Sequence, residues 1–322
     1  MSATYGQVTR ITLTSTGSNY SLAPTITLSG GGGTGAAATA TLQIANLILS
    51  TAGTTYTATP TVTISGGGGT TQGTAQAAIT TTGAGLTGNL TLFAGGAITQ
   101  ALGTGNAISV AGNTTLTETS GAGINLANSG NNLVGTLTIT QGGGGNVTLV
   151  NNNSLALGNI GPVTLTPAVP MGNLSLTALS GSIYQVGTGT SLNVGGNATF
   201  LAQTSGGTPN GAVILNNLGN SFAGSVAATG TTVVIRDSSG DLELGNILAT
   251  RSLTATATAS TGDIVQTPGT TIGTAANPTG AATFAVANGR NITVGNLGNV
   301  FGSTVGFNAL SGTLGNITIL DT

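Results

Sequence analysis

Apolar and polar positions alternate with a period of two through most of this chain, in short runs that stop at glycine or asparagine. LTLF (90–93), TTLTE (114–118), LTIT (137–140) and VTLV (147–150) are typical. A period of two places successive side chains on opposite faces of a strand. The i, i+3, i+4, i+7 pattern of an amphipathic helix is absent throughout. The chain is therefore expected to be all-β. Short strands spaced about every 8 to 12 residues fit a sandwich, a barrel or a solenoid.

Internal repetition selects among these. In residues 1–84, GSNYSLAPTITLSGGGGTG begins at Gly17 and GTTYTATPTVTISGGGGTT begins at Gly53. Tyr20 and Tyr56, Pro24 and Pro60, and Gly30 and Gly66 are each 36 residues apart. Each unit predicts a strand (Ile11 to Thr14; Leu47 to Ser50), a turn, and a strand after the proline (Thr25 to Leu28; Thr61 to Ile64). The proline is tolerated because a strand's first residue gives up no ladder donor. Gly30 to Gly33 and Gly66 to Gly69 lie between strands and have no following Lys-Ser/Thr. They predict wide β-turns and not a phosphate loop.

A longer repeat covers residues 85–322. GNLTLFAGGAITQ (88–100) returns as GNLSLTALSGSIYQ (172–185) and RSLTATATASTGDIVQ (251–266). LALGNI at Leu155 returns as LELGNI at Leu242, 87 residues on, while Gln100, Gln185 and Gln266 are spaced by 85 and 81. The unit of 81–87 residues occurs about two and a half times. Long-range repetition with near-identical turns favours a solenoid. Inward Leu, Val, Ile and Phe would stack on their equivalents in the next coil. Asn and Gly would take the tight corners, and outward Thr and Ser would face water without charge.

GNLTLFAGGAITQ, SGNNLVGTLTI, GNSFAGSV and NVTLVNNNSLALGNI resemble the repeats of filamentous-haemagglutinin-like and autotransporter-like bacterial surface proteins, over about residues 86–322. The resemblance implies a right-handed parallel β-helix, secretion, and a role as a surface stalk or adhesin. The paired repeats of residues 1–84 resemble modules found among bacterial surface and phage tail proteins.

Composition narrows the function classes. Charged residues are 3% of 322, against about 25% in ordinary soluble chains. Richness in Thr, Val and Ile argues against disorder despite 56 glycines. A net charge of −2 gives no basic footprint for nucleic acid. No apolar run approaches the roughly 18 residues of a membrane helix. Residues 1–30 show no basic segment followed by an apolar core, which leaves a removed leader, a longer parent chain or another export signal open.

Histidine, cysteine and lysine are absent. That removes the usual bases, thiolates, Schiff-base lysines and thiolate metal sites, and no enzyme activity or cofactor is expected. The six acids are Glu118, Asp237, Asp241, Glu243, Asp263 and Asp321, clustered only in RDSSGDLEL (236–244). An acid pair of glycosidase type and a single weak calcium site at Asp237 and Asp241 are the functional readings there. The alternative, preferred here, is a solvated turn with Glu243 outward, paired with Arg236 or Arg251. Asn-x-Ser/Thr occurs at Asn89, Asn113, Asn146, Asn173, Asn197, Asn291 and Asn316. Most of these arise from the Gly-Asn strand start and predict geometry rather than glycosylation.

The expected protein is a non-enzymatic subunit of an extracellular bacterial filament or rigid stalk. It would comprise a β domain (1–84) followed by the solenoid (85–322). Low charge leaves little self-repulsion against association. The sequence stops inside a third repeat, so head-to-tail homopolymer contacts are expected through Leu314, Ile317, Ile319 and Leu320 at one end and Ile11 and Leu13 at the other. Other partners are a glycan or the cell envelope. The alternatives are an adhesin gripping host or cell-wall glycans through its loops, and a phage tail fibre or spike.

Overall fold

The computed structural model describes residues 6–15, 18, 22–40, 47–54, 60–65, 74–81, 88–103, 106–162 and 169–322. Tyr20, Tyr56 and the glycine run at Gly66 to Gly69 lie outside the described residues. The chain divides into two compact units, Met1–Leu86 and Thr87–Thr322. Every regular element among the described residues is a strand. Among the described residues no helix is long and apolar enough to cross a membrane.

The first unit contains β1 (Gly6–Ser15), β2 (Thr25–Ser29), β3 (Thr34–Ala40), β4 (Leu47–Thr54), β5 (Thr61–Ser65) and β6 (Thr74–Thr81). β2 and β5 are the same segment of the two 36-residue repeats. They pair antiparallel with Thr27 opposite Thr63. The flanking pairs are β1 with β6 and β3 with β4. The first strand of each repeat thus pairs with the last strand of the other. Neither repeat closes a sheet alone, which is why the sequence carries two. Val8, Ile11 and Ile64 form the small core, with Leu13, Ile26, Leu28 and Val62 packed against it. Between β2 and β3, Gly30, Gly31 and Gly32 have φ of 84°, 74° and 74°, a run that side chains with a Cβ disfavour.

The second unit is a parallel β-solenoid of about nine turns. Its two longer strand faces stack inward residues that are apolar except at Thr114, and short parallel pairs (Ser109–Val110 with Asn132–Leu133, Asn193–Val194 with Ser221–Phe222) lie outside them. On the first face Leu90, Thr114, Leu137 and Leu157 follow one another, and beside them Leu155, Ile183, Val213, Val233, Leu253, Ala282 and Val305 continue the line. On the second face the order is Ile98, Ile124, Val147, Leu174, Ala198, Val226 and Leu244. It then passes through Ile264, Ile292 and Ile317. Each coil buries its apolar row against the next at the strand spacing of about 4.8 Å. Phe200 and Phe222 meet edge to face at 6.2 Å, and Phe284 stacks on Phe307 at 5.9 Å.

The long sequence repeat is not a whole number of coils. Leu90 lies on the first face, its equivalent Leu174 on the second, and Leu253 on the first again. Thr114, Ala198 and Ala282 alternate in the same way, as do Ile98, Ile183 and Ile264 in the opposite phase. Each unit therefore advances three and a half turns. Successive units present the same residue positions on opposite sides.

Glycine marks the corners where coils approach closest. A Cβ on Gly112 would lie 2.6 Å from the carbonyl oxygen of Gly88, and one on Gly224 would lie 2.6 Å from that of Gly196. A Cβ on Gly196 would lie 2.8 Å from the backbone of Gly172. The obstacle in each case is backbone, which cannot swing aside. Gly196→Ala is expected to destabilise the solenoid by about 1–3 kcal/mol, the usual cost of overpacking. Urea unfolding of the variant against wild type measures it.

Candidate functional site

The polar groups of the solenoid are organised in columns along the corners. At the strand starts, one side-chain oxygen per coil accepts the backbone N–H of the next coil. Asn89 accepts from Asn113 (2.8 Å) and Asn113 from Thr136 (2.9 Å). Asn146, Asn173 and Asn197 accept in turn from Asn173, Asn197 and Ser225. Asp241 accepts from Asp263, Asp263 from Asn291 and Asn291 from Asn316, each at 2.8 Å. The position needs an acceptor, so Asn and Asp exchange freely there. Six of the seven Asn-x-Ser/Thr asparagines are ladder acceptors, consistent with their reading as geometry.

The glutamine that closes the opening motif of each long repeat forms a reciprocal amide pair with an asparagine one coil on. Gln100 and Asn131 exchange two bonds of 2.6 and 2.9 Å. Gln185 and Asn220 do so at 2.7 and 2.9 Å, and Gln266 and Asn299 at 2.8 and 2.9 Å. Each asparagine Oδ1 also accepts a backbone N–H, from Ile108, Leu192 and Ile272 respectively. Each Nδ2 also donates to a carbonyl five residues back, of Leu126, Leu215 and Val294. All three asparagines are buried. An amide has both donors and acceptors, so the pair can satisfy itself and the bend around it in a dry corner.

Asn151, Asp237 and Asp321 hold the equivalent corner in the three copies of the long repeat. Their Oδ1 atoms accept the N–H of Leu133 (2.8 Å), Phe222 (3.1 Å) and Phe301 (2.9 Å). The residue after each donates its N–H to the carbonyl of Asn131, Asn220 or Asn299. Asp237 is 0% exposed, so the solvated-turn expectation is corrected at this residue. The reason lies in the strand: Val233, Ile235 and Asp237 all point inward in Val226–Asp237. Burial pushes the Asp237 carboxyl above its ordinary value, against bonds from Phe222, Ser239 and Ser238 that pull it down.

Asp241 is exposed at its ladder position, so the two carboxylates of the candidate calcium pair face different surroundings. Glu243 is half-buried and accepts from the Thr267 hydroxyl at 3.0 Å. The expected pairing of this cluster with Arg236 or Arg251 is also corrected. The ion pair among the described residues joins Arg290 to Asp263 at 2.8 Å. Burial would raise the Asp263 carboxyl, but the bonds from Asn291 and the charge of Arg290 hold it below its usual value.

Glu118 went unremarked in the sequence beyond its place among the acids. Its carboxylate is fully buried and accepts from Ser120 N and Oγ (2.6 and 2.5 Å), Gly121 N (3.1 Å), Gly123 N (3.4 Å) and Gln141 Nε2 (3.1 Å). Burial alone would raise its pKa, yet the hydrogen bonds led by Ser120 outweigh it and bring it to about 2. The signal in the sequence was Glu at an inward position of TTLTE followed by Thr-Ser-Gly-Ala-Gly, a turn rich in N–H groups outside the strand ladder.

Of the proposed assembly residues, Ile317 and Ile319 are exposed, while Leu314 and Leu320 are half-buried. Ile11 lies in the core of the first unit, with Leu13 packed against that core. Ile11 therefore offers no docking surface, because the alternation of β1 turns it inward.

These columns define a repeat-built parallel β-solenoid whose corner polar groups lock coil to coil. The chain belongs to the family described as repeats of unknown function (DUF5649), whose model matches residues 68–140, 144–229 and 230–308. No curated protein and no solved structure matches it.

Two outcomes are expected. Asn220→Ala removes one bond from each end of the Gln185 amide and leaves the Leu192 N–H and the Leu215 carbonyl without the Asn220 amide, and should cost about 2–4 kcal/mol. Asn173→Ala on the exposed ladder should cost only about 1 kcal/mol. Denaturant midpoints distinguish the two. The second outcome concerns Glu118. Its folded pKa is depressed, so its contribution is present above the unfolded value near 4.5 and is lost as pH falls toward about 2. Glu118→Gln should lower the melting temperature at pH 7 and flatten the acid limb of a melting-temperature profile below pH 4.5.

Proposed function

We propose that this protein is a non-enzymatic structural component of the bacterial exterior, a segment of a surface filament or rigid stalk. The observation that carries this reading is the use made of the acids. Glu118, Asp237, Asp241, Asp263 and Asp321 each accept backbone N–H bonds at a corner, and Glu243 takes a threonine hydroxyl of the next coil. Side chains that would carry hydrolysis in an acid-pair enzyme hold coils together instead. The near absence of charge and the resemblance to bacterial surface repeats support a secreted rod. Head-to-tail contact is part of the proposal, with the exposed Ile317 and Ile319 as its candidate residues.

One observation favours an adhesin as the second reading. Tyr184, Ile214 and Val234 stack on consecutive rungs of one outward column. The equivalent columns of the sister repeats carry Thr99, Asn125 and Thr148, and Val265, Thr293 and Thr318. The fold tolerates hydroxyls and amides there, so the apolar column answers to something other than folding.

Negative-stain microscopy of purified protein tests the leading reading. Polymers or rods that survive heating are expected. Monomers that bind a glycan saturably, and lose binding in the triple variant Tyr184→Thr, Ile214→Asn, Val234→Thr, would favour the adhesin. Cleavage of a polysaccharide would favour a tail spike and overturn the non-enzymatic reading.

A further inference from the structure

The equivalent corners at Asn151, Asp237 and Asp321 provide their own control. Asn151 donates through Nδ2 to three carbonyl oxygens, of Leu133, Asn153 and Ser154, at 3.1, 3.1 and 3.0 Å. Its Oδ1 faces the Leu133 N–H. In the next unit Asp237 makes the equivalent Oδ1 bond to the Phe222 N–H. Ser239 adds its N–H (3.3 Å) and hydroxyl (3.0 Å) to the same Oδ1. With Oδ1 held by these donors, Oδ2 is the atom left in the place of the amide nitrogen, in a turn one residue longer than that of Asn151 (Asp237 to Leu242 against Asn151 to Leu155). Oδ2 is buried and has no hydrogen-bond partner as an acceptor. An ionised oxygen buried without any donor costs more free energy than a neutral acid at the same place.

We propose that Asp237 is held as a neutral carboxylic acid whose Oδ2–H donates to a backbone carbonyl, replacing the amide of Asn151, so that the middle of the solenoid carries a built-in pH sensor. No ionised partner meets it. Its own strand carries Arg236, which alternates outward. The following turn carries the exposed Asp241, bound to the Asp263 N–H. The next coil places Ala257 opposite, with Glu243 bound to Thr267 and Arg251 exposed elsewhere on that strand. The preceding coil contributes Ser221 and Phe222, which are uncharged. The raised pKa of Asp237 agrees with this arrangement.

The sign follows from linkage. A group with a raised folded pKa contributes fully below its unfolded value, about 3.9, and that stability is lost as pH rises through the folded pKa. Asp237→Asn keeps every Oδ1 bond and supplies a donor at all pH values. Melting temperatures of the full chain, wild type and variant, should agree below about pH 4 and separate above it. The variant should be higher by roughly 2–4 °C or more at neutral pH, the shift expected for about 1 kcal/mol in a domain of this size. The reciprocal variant Asn151→Asp should lose stability as pH rises, with full recovery below about pH 4. A 13C carboxyl titration, simple to assign with six acids, should find one resonance that titrates at higher pH than an ordinary aspartate and is missing in Asp237→Asn. An Asp237→Asn variant no more stable than wild type at neutral pH would overturn the proposal. So would a wild type that gains stability from added calcium or sodium when the variant does not, because a cation would then occupy the proton's place.

Discussion

Everything in the solenoid depends on the fixed spacing of one coil above the next, about 4.8 Å. Strand ladders meet that spacing with backbone bonds alone. Corners cannot, because the chain bends and its N–H and C=O groups turn out of register. A buried backbone group left without a partner costs about 1–3 kcal/mol, and there are several corners per turn. Side-chain amides solve the problem because their reach matches the gap. One Asn oxygen spans from its own coil to the next N–H, as at Asn89, Asn146 and Asn173. Glycine precedes these asparagines for the same reason, since a Cβ at Gly112 or Gly196 would enter the coil beneath.

The same constraint explains how a chain with so little charge is held in register. Net gains from individual hydrogen bonds are about 1 kcal/mol, but a slipped register would leave whole columns unsatisfied. The Gln–Asn pairs raise that penalty at three points, once per long repeat, because each asparagine is buried and its bonds to the glutamine and to the surrounding backbone are met in one register only. Apolar stacking supplies most of the stabilisation, and the amides supply the choice of partner. Acids substitute where only an acceptor is required, at Asp241 and Asp263. At Asp237 the corner also calls for a donor, and the substitution has a different consequence.

A repeat of three and a half turns has structural meaning of its own. Because equivalent residues fall on alternate sides, a rod built from these units is two-faced, and neither face is privileged by the repeat. Differences between sister positions then stand out against identical backbone roles. Tyr184, Ile214 and Val234 against sister columns that are polar but for Val265 is one such difference, and Asp237 against Asn151 is another.

The sequence by itself determined the local elements and their inward rows. The period of two in VTLV and TTLTE, the glycine stops, and the two repeat lengths were enough to specify strands, two units and a solenoid, because these follow from nearest-neighbour geometry. The recurring glutamine was visible at 100, 185 and 266, but its partners lie 31, 35 and 33 residues on. Only the winding brings them together. The half-turn offset and the exchange of strands between the 36-residue repeats were likewise decided by tertiary pairing, since identical segments can pair in more than one way. Asp237 is the mixed case. Alternation from Val233 and Ile235 already pointed it inward, yet the Ser-Ser-Gly turn beside it suggested solvent. The packing of the coil before it decided between the two, because the Phe222 N–H it meets belongs to a strand 15 residues earlier in the chain and one turn below in space.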